Sequence, residues 1–502
     1  MRGSFGIGKK HDKNILEQLK QCALLQANPT NTDNVAELDS ALERLVQEYS
    51  HTDVILNLIN VLPEKKLEEY IDKAVLVSSK SRNIKTIGVY WYRMHNGGVE
   101  KVLATLVSIW SRMGYKVILY TSEQTNELDY AYSPDVKRVV LPETKYVRER
   151  LLALEKSIKD EAVDVFVNND WTSPYLLQDI LLVKSLAIPY ILYTHGHFTA
   201  LYWNCADFAM KSSHYFRLCD AVLSLAEINA RFYDLCGCNS ILIQNPIPQE
   251  LSKVKEIADL SLRRILWVGR IADGKRFEDA IVILKKVRQQ IPDVEMDVVG
   301  TTDKSKDMDC IVQATQKEGL DGAIHFHGYQ TDTAPFYKKA GLMLMTSEKE
   351  GYPTVLLESK AYGVPTVMYE LPYLSLVKDG KGILTSNIGN IEEMSEHIIK
   401  LMSDYEYRVH LGKDARSSFE NLLEYDLEGT WRDIFESVSD KEKVVCNECK
   451  ERTDAMMLQM LINQLTEGIE VRCDESMDYR IGRMLLMLPR KVFHMIKLFV
   501  IN

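Results

Sequence analysis

Two glutamates eight positions apart mark the segment of this 502-residue chain that is best suited to chemistry. Residues 347–358 read SEKEGYPTVLLE, with Glu350 in a loop after a predicted strand and Glu358 in the first part of a predicted helix. Both carboxylates can accept hydrogen bonds from sugar hydroxyls, and the free amides of Thr354 and Val355 at the helix start can bind a phosphate. On spacing alone, the pattern also fits a surface loop followed by a solvated glutamate.

A basic loop, residues 269–275, follows another predicted strand and is a second candidate. Its Arg270 offers a planar fork to phosphate oxygens, and its Lys275 offers a point charge. The two side chains together suit a diphosphate that becomes a leaving group. Basic residues in such loops usually face solvent, and this alternative stays open.

Paired glycines, Gly97 and Gly98, follow the first strand predicted after the N-terminal region. Glycine lets a backbone approach a ligand closely, and a helix that starts there directs its amides toward a phosphate. The loop lacks the G-x-G-x-x-G spacing of dinucleotide-binding proteins, which argues against NAD.

The metal-binding patterns in the sequence are weak. Asp307 and Asp309 precede a predicted helix and are expected to form a solvated first turn. Cys446 and Cys449 lack the second pair that a structural zinc site normally has. Nine cysteines in no regular framework are typical of reduced thiols. We therefore expect no metal and no other cofactor.

Short apolar runs alternate with amphipathic ones, which is typical of parallel βαβ units. The strands expected first are residues 86–90, 116–121, 164–167, 189–194, 221–225 and 240–244. After a proline-rich break at 245–248, strands are expected at residues 264–268, 295–299, 323–326, 342–345 and 366–369. The pattern predicts an α/β fold with two Rossmann-like domains, residues 81–250 and 251–440, that face a common cleft.

The two ends of the chain carry different patterns. Residues 1–80 predict a helical extension, and residues 441–502 predict a helical tail. From Arg480 to Asn502 there are basic residues but no acidic ones, and on a helix the basic side chains share one face. This pattern is typical of a helix that lies on an anionic membrane surface. The alternative is a terminal helix packed on the protein itself.

Composition limits the class of protein further. The 61 Lys and Arg residues against 71 Asp and Glu residues give a net charge of −10, which disfavours nucleic acid as a partner. Apolar residues at 46% and charged residues at 26% exclude a disordered chain and a disulfide-stapled miniprotein. Charges interrupt the first twenty residues, so no secretory signal is expected. We expect a cytoplasmic protein that reaches the inner face of the membrane through its tail.

Taken together, these motifs resemble the retaining nucleotide-sugar glycosyltransferases of the GT-B fold, specifically glycosyltransferase family 4, the group 1 glycosyltransferases. The resemblance is carried by Gly97-Gly98-x-Glu100, Arg270-x4-Lys275, Glu350-x7-Glu358 and the loop of His195. It covers roughly residues 85–437. It implies the two-domain GT-B architecture, with the acceptor on the first domain and the donor on the second.

The resemblance also implies roles for single residues. Arg270 and Lys275 would hold the donor diphosphate, and Gly97 and Gly98 would lie near the phosphates from the opposite domain. Glu350 would contact the transferred sugar.

Two further roles follow from the same resemblance. Glu358 would bind the ribose hydroxyls, and His195 matches the family's active-site histidine near the donor sugar. His195 also fits a loop histidine satisfied by neighbouring backbone, since His197 is close by. One departure from the family pattern is the sequence Tyr352-Pro353-Thr354, from which we expect an altered presentation of the loop amides.

The implied activity is transfer of a sugar from a nucleotide-sugar, expected to be a UDP-sugar, with retention of anomeric configuration and without a metal. The acceptor would be a glycan or a lipid-linked molecule in surface polysaccharide or glycolipid biosynthesis. A GT-B-related sugar-nucleotide epimerase and a non-catalytic glycan-binding subunit are the alternatives. The joint presence of five site residues argues against the second alternative: His195, Arg270, Lys275, Glu350 and Glu358.

Overall fold

The computed structural model describes residues 50–61, 83–95, 97–143, 146–203, 213–302 and 306–440, together with residues 456, 457 and 460. Within these residues the chain forms one sheet of seven strands and one of six, and all strand pairs within them are parallel. Parallel strands require crossover connections, here mostly helical, which bury the sheets. The predicted pair of Rossmann-like domains is confirmed.

The first sheet has the strand order β3-β2-β1-β4-β5-β6-β7. Its strands are β1 (Thr86–Tyr90), β2 (Lys116–Thr121), β3 (Lys137–Val140), β4 (Val165–Asn168), β5 (Tyr190–Tyr193), β6 (Ala221–Ser224) and β7 (Ser240–Leu242). The helices are α1 (His51–Val61), α2 (Gly98–Arg112), α3 (Val147–Glu161), α4 (Leu176–Ser185), α5 (Ala200–Trp203) and α6 (Glu227–Leu235), with a 3₁₀ helix at Ser213–Leu218. The order reverses between β1 and β4, the point at which such sheets bind ligands.

The second sheet has the order β10-β9-β8-β11-β12-β13. Its strands are β8 (Arg264–Val268), β9 (Glu295–Val299), β10 (Ile324–Phe326), β11 (Leu342–Met345), β12 (Thr366–Tyr369) and β13 (Ile383–Ser386). The helices are α7 (Gln249–Ser252), α8 (Phe277–Gln290), α9 (Met308–Lys317), α10 (Ala334–Lys338), α11 (Thr354–Ala361), α12 (Ile391–Ser403), α13 (Tyr405–Leu422) and α14 (Leu427–Asp440), with 3₁₀ helices at Asp273–Lys275 and Ser375–Val377. The order reverses between β8 and β11, and the loops after these two strands carry the basic and acidic motifs.

The last described helix, α14, crosses back to the first domain. Trp431 is fully buried, and its ring centroid lies 4.8 Å from that of Trp110 on α2. Phe435 packs against Tyr115 of the first domain at 5.4 Å between ring centroids. The second domain was expected to span residues 251–440, whereas α14, within that span, packs against Trp110 and Tyr115 of the first domain. The apolar face of a helix shows that it packs, but not against which domain.

The described part of the N-terminal extension, α1, is attached to the first domain. The backbone N–H and the hydroxyl of Thr52 donate to one carboxylate oxygen of Glu155 on α3, at 3.0 and 2.8 Å. Asp53 accepts from Arg148 of the same helix at 2.6 Å. The rest of the predicted extension, the Cys446–Cys449 pair and the predicted membrane helix at 480–502 lie outside the described residues.

Two features of the described residues bear on the earlier expectations. The cysteines Cys219, Cys236, Cys238 and Cys310 are free thiols. A membrane span would need a helix that is both long and apolar, and the described part of the chain contains none.

Candidate active site

The amino-terminal ends of α2 and α11 meet across the cleft between the two sheets. A Cβ placed on Gly98, the first residue of α2, would lie 3.8 Å from Oγ1 of Thr354, the first residue of α11. Each helix start carries N–H groups without intrahelical partners and the positive end of a helix dipole. Two such ends in one place suit an anionic ligand.

Lys275 and Glu350 form an ion pair inside the second domain. Lys275 ends the 3₁₀ helix after β8, Glu350 lies in the loop after β11, and Nζ and Oε1 are 2.5 Å apart. The two side chains are 29% and 12% exposed, so the pair is shielded from most of the solvent. The backbone N–H of Glu350 donates to the hydroxyl of Tyr373 at 3.1 Å, which holds the loop. The two loops singled out from the sequence are therefore in contact.

Arg270 lies in the same basic loop but differs from Lys275 in having an exposed side chain. Among the described residues, no carboxylate lies within ion-pair distance of its guanidinium. The neighbouring Arg276 is already engaged by Asp279 at 2.7 Å and by Glu348 at 3.7 Å. Within the described part of the chain, Arg270 is thus the guanidinium of this loop that is free to bind an anion.

Glu358 is the most enclosed carboxylate of the acidic motif, with 7% of its side chain exposed. Its Oε1 accepts from Nζ of Lys101 on α2 at 2.8 Å, and its Oε2 accepts from the hydroxyl of Thr333 at 3.1 Å. Lys101 belongs to the first domain and Thr333 to the second. The carboxylate therefore forms a contact between the domains at the mouth of the cleft.

His195 follows β5 and lies against the loop of Glu350. A Cβ on Gly351 would lie 2.2 Å from the carbonyl oxygen of His195, so only glycine allows this approach. Nδ2 of Asn169 donates to the carbonyl of Tyr90 at 3.3 Å, which leaves Oδ1 of Asn169 to accept from Nε2 of His195 at 2.9 Å. Burial lowers the pKa of His195 to about 3, so the ring is neutral and its Nδ1 is a hydrogen-bond acceptor.

His197 occupies a different environment from His195. It is buried, its ring lies 4.9 Å from that of Tyr373 between centroids, and its Nδ1 accepts from the backbone N–H of Thr199 at 3.3 Å. Among the described residues its Nε2 has no hydrogen-bond partner. His197 therefore packs in the contact between the domains, next to the residue that holds the Glu350 loop.

The start of α11 carries no side-chain cap. Pro353 occupies the N-cap position and makes no capping hydrogen bond, so the first amides, those of Thr354 and Val355, are not occupied by a side chain. Tyr352 is buried beneath the loop. The departure from the family pattern at 352–354 thus leaves the helix start open to a ligand.

Gly97 and Glu100 have a structural relation that the sequence did not reveal. Glu100 is 2% exposed and accepts from Nε of Arg93 at 2.7 Å. A Cβ on Gly97 would lie 2.2 Å from Oε2 of Glu100, so glycine is needed for the carboxylate to fold over the start of α2. Glu100 shapes the loop that presents Gly98 to the cleft.

The D-x-D motif forms a helix cap. Oδ1 of Asp307 accepts from the backbone N–H of Asp309 at 3.0 Å and caps α9, at the place where the sequence predicted a solvated first turn. Within the described residues, no group of three or more His, Cys, Asp or Glu side chains is arranged to hold a metal ion.

Sequence reasoning missed several residues that hold the site: Lys101, Asn169, Thr333 and Tyr373. Only Lys101 had a signal, since it follows the Gly-Gly-x-Glu motif directly. The others lie in the cleft because of the order of strands and loops, which their own residue types do not reveal.

Two family models match the chain and meet at residue 249. The model described as Glycosyltransferase Family 4 matches residues 96–249, and the one described as Glycosyl transferases group 1 matches residues 249–418. The first match begins after β1 and includes the other six strands of the first sheet, the second match includes all of the second sheet, and together they include every motif of the cleft.

Named relatives and a solved structure agree with these models. The chain is 22% identical to the amylovoran biosynthesis glycosyltransferase AmsD of Erwinia amylovora, over 68% of this chain and 96% of that protein. It is also 22% identical to the GalNAc-alpha-(1->4)-GalNAc-alpha-(1->3)-diNAcBac-PP-undecaprenol alpha-1,4-N-acetyl-D-galactosaminyltransferase of Campylobacter jejuni, over 69% of this chain and 96% of that protein. The structure of a mutant of S. aureus TarM, in complex with fondaparinux, alpha-GlcNAc-glycerol and UDP, has a TM-score of 0.58 and 12% identity and covers 70% of this chain and all of the other. The chain is thus a glycosyltransferase with the GT-B fold, and it belongs to the group 1 glycosyl transferases.

Proposed function

We propose that this protein transfers a sugar from a UDP-sugar, with retention of anomeric configuration and without a metal, to a glycan or lipid-linked acceptor. The product would belong to surface polysaccharide or glycolipid biosynthesis. The observation that carries the proposal is the contact of Lys275 with Glu350 beside the uncapped start of α11, with Arg270 in the same loop and unpaired among the described residues.

This arrangement suits the departure of a nucleoside diphosphate. Arg270, Lys275 and the first amides of α11 supply positive charge and N–H donors where negative charge develops on the leaving phosphate. Glu350, held by Lys275 and by the hydroxyl of Tyr373, is available to accept from hydroxyls of the transferred sugar. The protein's contribution is positioning and charge stabilisation.

The proposed retention of configuration needs no protein nucleophile. The acceptor hydroxyl attacks the anomeric carbon on the face from which the diphosphate leaves. As the bond from that carbon to the phosphate oxygen breaks, the hydroxyl proton passes to the departing phosphate oxygen. His195, neutral and with Nδ1 as an acceptor, orients a sugar hydroxyl beside Glu350.

The relatives support the choice of substrates. The TarM mutant was solved with UDP, which favours a UDP-sugar over other donors. The Erwinia relative is named for amylovoran biosynthesis and the Campylobacter relative for an undecaprenol-linked acceptor. Both names favour an acceptor that is a growing glycan or is attached to a lipid.

Thermal unfolding in the presence of UDP, GDP and ADP tests the donor. A nucleotide that binds only the folded state raises the midpoint by mass action, so UDP should raise it more than GDP or ADP at equal concentration. The Arg270→Ala variant should lose most of the shift. An equal shift with all three nucleotides, or none with UDP, would contradict the donor assignment. The anomeric configuration of the product, read by NMR, tests retention.

The predicted membrane contact has its own test. A chain that ends at residue 479 should lose partition to vesicles containing an anionic lipid, because each basic residue near such a surface contributes about 1 kcal/mol. Vesicles of neutral lipid are the control, since neither form should bind them strongly. Equal binding of the two forms to anionic vesicles would show that residues 480–502 do not bind the membrane.

A further inference from the structure

The ion pair between Lys101 and Glu358 joins the two domains at the cleft. Lys101 lies in the first turn of α2, on the first domain, and Glu358 lies on α11, on the second. Their Nζ and Oε1 atoms are 2.8 Å apart, and the side chains are 25% and 7% exposed. This pair therefore depends on the relative position of the domains.

The hydrogen bonds of Glu358 leave room for a ligand. Each carboxylate oxygen can accept two hydrogen bonds. Lys101 occupies one position on Oε1, and Thr333 occupies one on Oε2. The hydroxyl of Tyr337 also lies within hydrogen-bonding reach of this carboxylate. One acceptor position therefore remains, which suits a hydroxyl such as one of a ribose.

Charge favours the closed arrangement. Burial alone would lower the pKa of Lys101, but the Glu358 carboxylate outweighs it by charge and by hydrogen bonding, and the pKa is raised. Without Lys101, Glu358 would be an enclosed carboxylate whose partners are only neutral hydroxyls, those of Thr333 and Tyr337. Leaving an enclosed charge without its counter-charge is costly.

A second contact lies on the same side of the cleft. The hydroxyls of Tyr130 in the first domain and Tyr329 in the second are 3.3 Å apart. Both contacts are made between polar side-chain atoms of different domains. Such contacts can open to admit a nucleotide and form again around it.

We infer that Lys101 is a positioning residue for nucleotide binding: from the first domain it orients Glu358 toward the ribose and couples ribose recognition to closure of the domains. This inference rests on the proposed function, since it takes Glu358 as the ribose-binding carboxylate. It adds a residue of the opposite domain to the nucleoside end of the site.

The Lys101→Met variant tests the inference, because methionine keeps the apolar stem and removes the charge. The dissociation constant for UDP and the KM for the donor should rise about tenfold, within the usual range for coupled sites, while kcat at saturating donor stays within about twofold. Lys101→Arg should recover most of the affinity. Small-angle scattering of the nucleotide-free Lys101→Met protein should show a larger radius of gyration than wild type.

A matched control is Lys285→Met. Lys285 also forms a lysine–glutamate pair, with Glu318 at 2.7 Å, but on the outer surface of the second domain. This variant should bind UDP like wild type.

The outcomes separate this inference from the proposed function. If wild type binds UDP and Lys101→Met binds it equally well, the inference is wrong and the donor assignment stands. A loss of kcat with unchanged KM would also overturn it. If wild type does not bind UDP, both fail.

Discussion

Two lysine–glutamate pairs serve one cleft, and they are built differently. Lys275 and Glu350 both belong to the second domain, in loops that follow the adjacent strands β8 and β11. Lys101 and Glu358 belong to different domains, so their contact depends on the relative position of those domains. A change in that position would leave the partners of the first pair in the same domain, whereas it would separate those of the second.

The difference matches what the two ends of a nucleotide-sugar require. Charge stabilisation at the reacting bond depends on groups that are already in place, because reorganisation during the reaction would raise the barrier. Recognition of the nucleoside must instead allow entry and release, which a contact between domains permits. Lys275 and Glu350, here called the rigid pair, would lie at the sugar and diphosphate. Lys101 and Glu358, here called the conditional pair, would lie at the ribose. Together they meet both requirements.

The largest effect, on kcat, should follow from breaking the pair of Lys275 and Glu350 inside the second domain. Lys275→Met should lower kcat by about 10²–10³-fold, because a cation is lost where charge develops on the leaving phosphate. Glu350→Ala should also abolish transfer while the fold is kept. Release of UDP from the donor in the presence of acceptor measures both, with Lys285→Met as the matched control. Wild-type kcat in Lys275→Met would show that the rigid pair has no role in the reaction.

The proximity of the two loops that carry the rigid pair could be predicted from the sequence. Residues that follow parallel strands lie at the same edge of a sheet, so the loops after β8 and β11 were expected to share one cleft. The bounds of β8, β9, β11 and β12 agree with those expected. Each has a short run of mostly apolar residues, although Asp297 interrupts that of β9. Strand β3 was missed, because KRVV offers two basic residues and only two apolar ones.

The contact within the conditional pair could not be predicted from the sequence. Lys101 and Glu358 are 257 positions apart, and although Glu358 was a candidate site residue, nothing in either segment indicates that the two side chains meet. Their contact depends on how the domains are oriented, to which α14 contributes by packing Trp431 on the first domain. Periodicity within a segment carries no information about such an orientation.

An intermediate effect, on the pH dependence of stability, should come from His195, which lies in the first domain against the loop of Glu350. Its folded pKa of about 3 lies below the ordinary value of 6.5, so the unfolded chain binds a proton more readily. Stability from this group is present above pH 6.5 and is lost as the pH falls toward 3. Between pH 7 and pH 5 the loss is about 2 kcal/mol.

His195→Gln should remove that share of the pH dependence, because glutamine does not titrate and can still donate to Asn169. Urea unfolding at pH 7 and pH 5 measures it, with both proteins compared at each pH. His197, whose pKa burial also lowers to about 3, remains in the variant and keeps its own share. The same loss in variant and wild type would show that His195 is protonated in the folded state at pH 5.

The smallest effect, on the dissociation constant for the nucleotide, should come from substitution of Glu358 and should differ between nucleotides with and without ribose hydroxyls. Glu358→Gln keeps the shape and weakens each hydrogen bond to the ribose, so the dissociation constant for UDP should rise about fivefold, as expected for the loss of roughly 1 kcal/mol. With 2′,3′-dideoxy-UDP the variant and wild type should bind alike, since the hydroxyls that Glu358 would accept are gone. Calorimetric titration of both nucleotides into both proteins gives the four constants.

Adding Lys101→Met to these titrations completes the comparison between the pairs. If Lys101 acts through Glu358, the double variant should bind UDP no more weakly than the weaker of the two single variants, because residues that act through one contact are not additive. Lys275→Met combined with Glu358→Gln should instead be additive, since those residues belong to separate pairs. Additivity of Lys101 with Glu358 would mean that the pair across the cleft is only a contact between domains and takes no part in recognising the ribose.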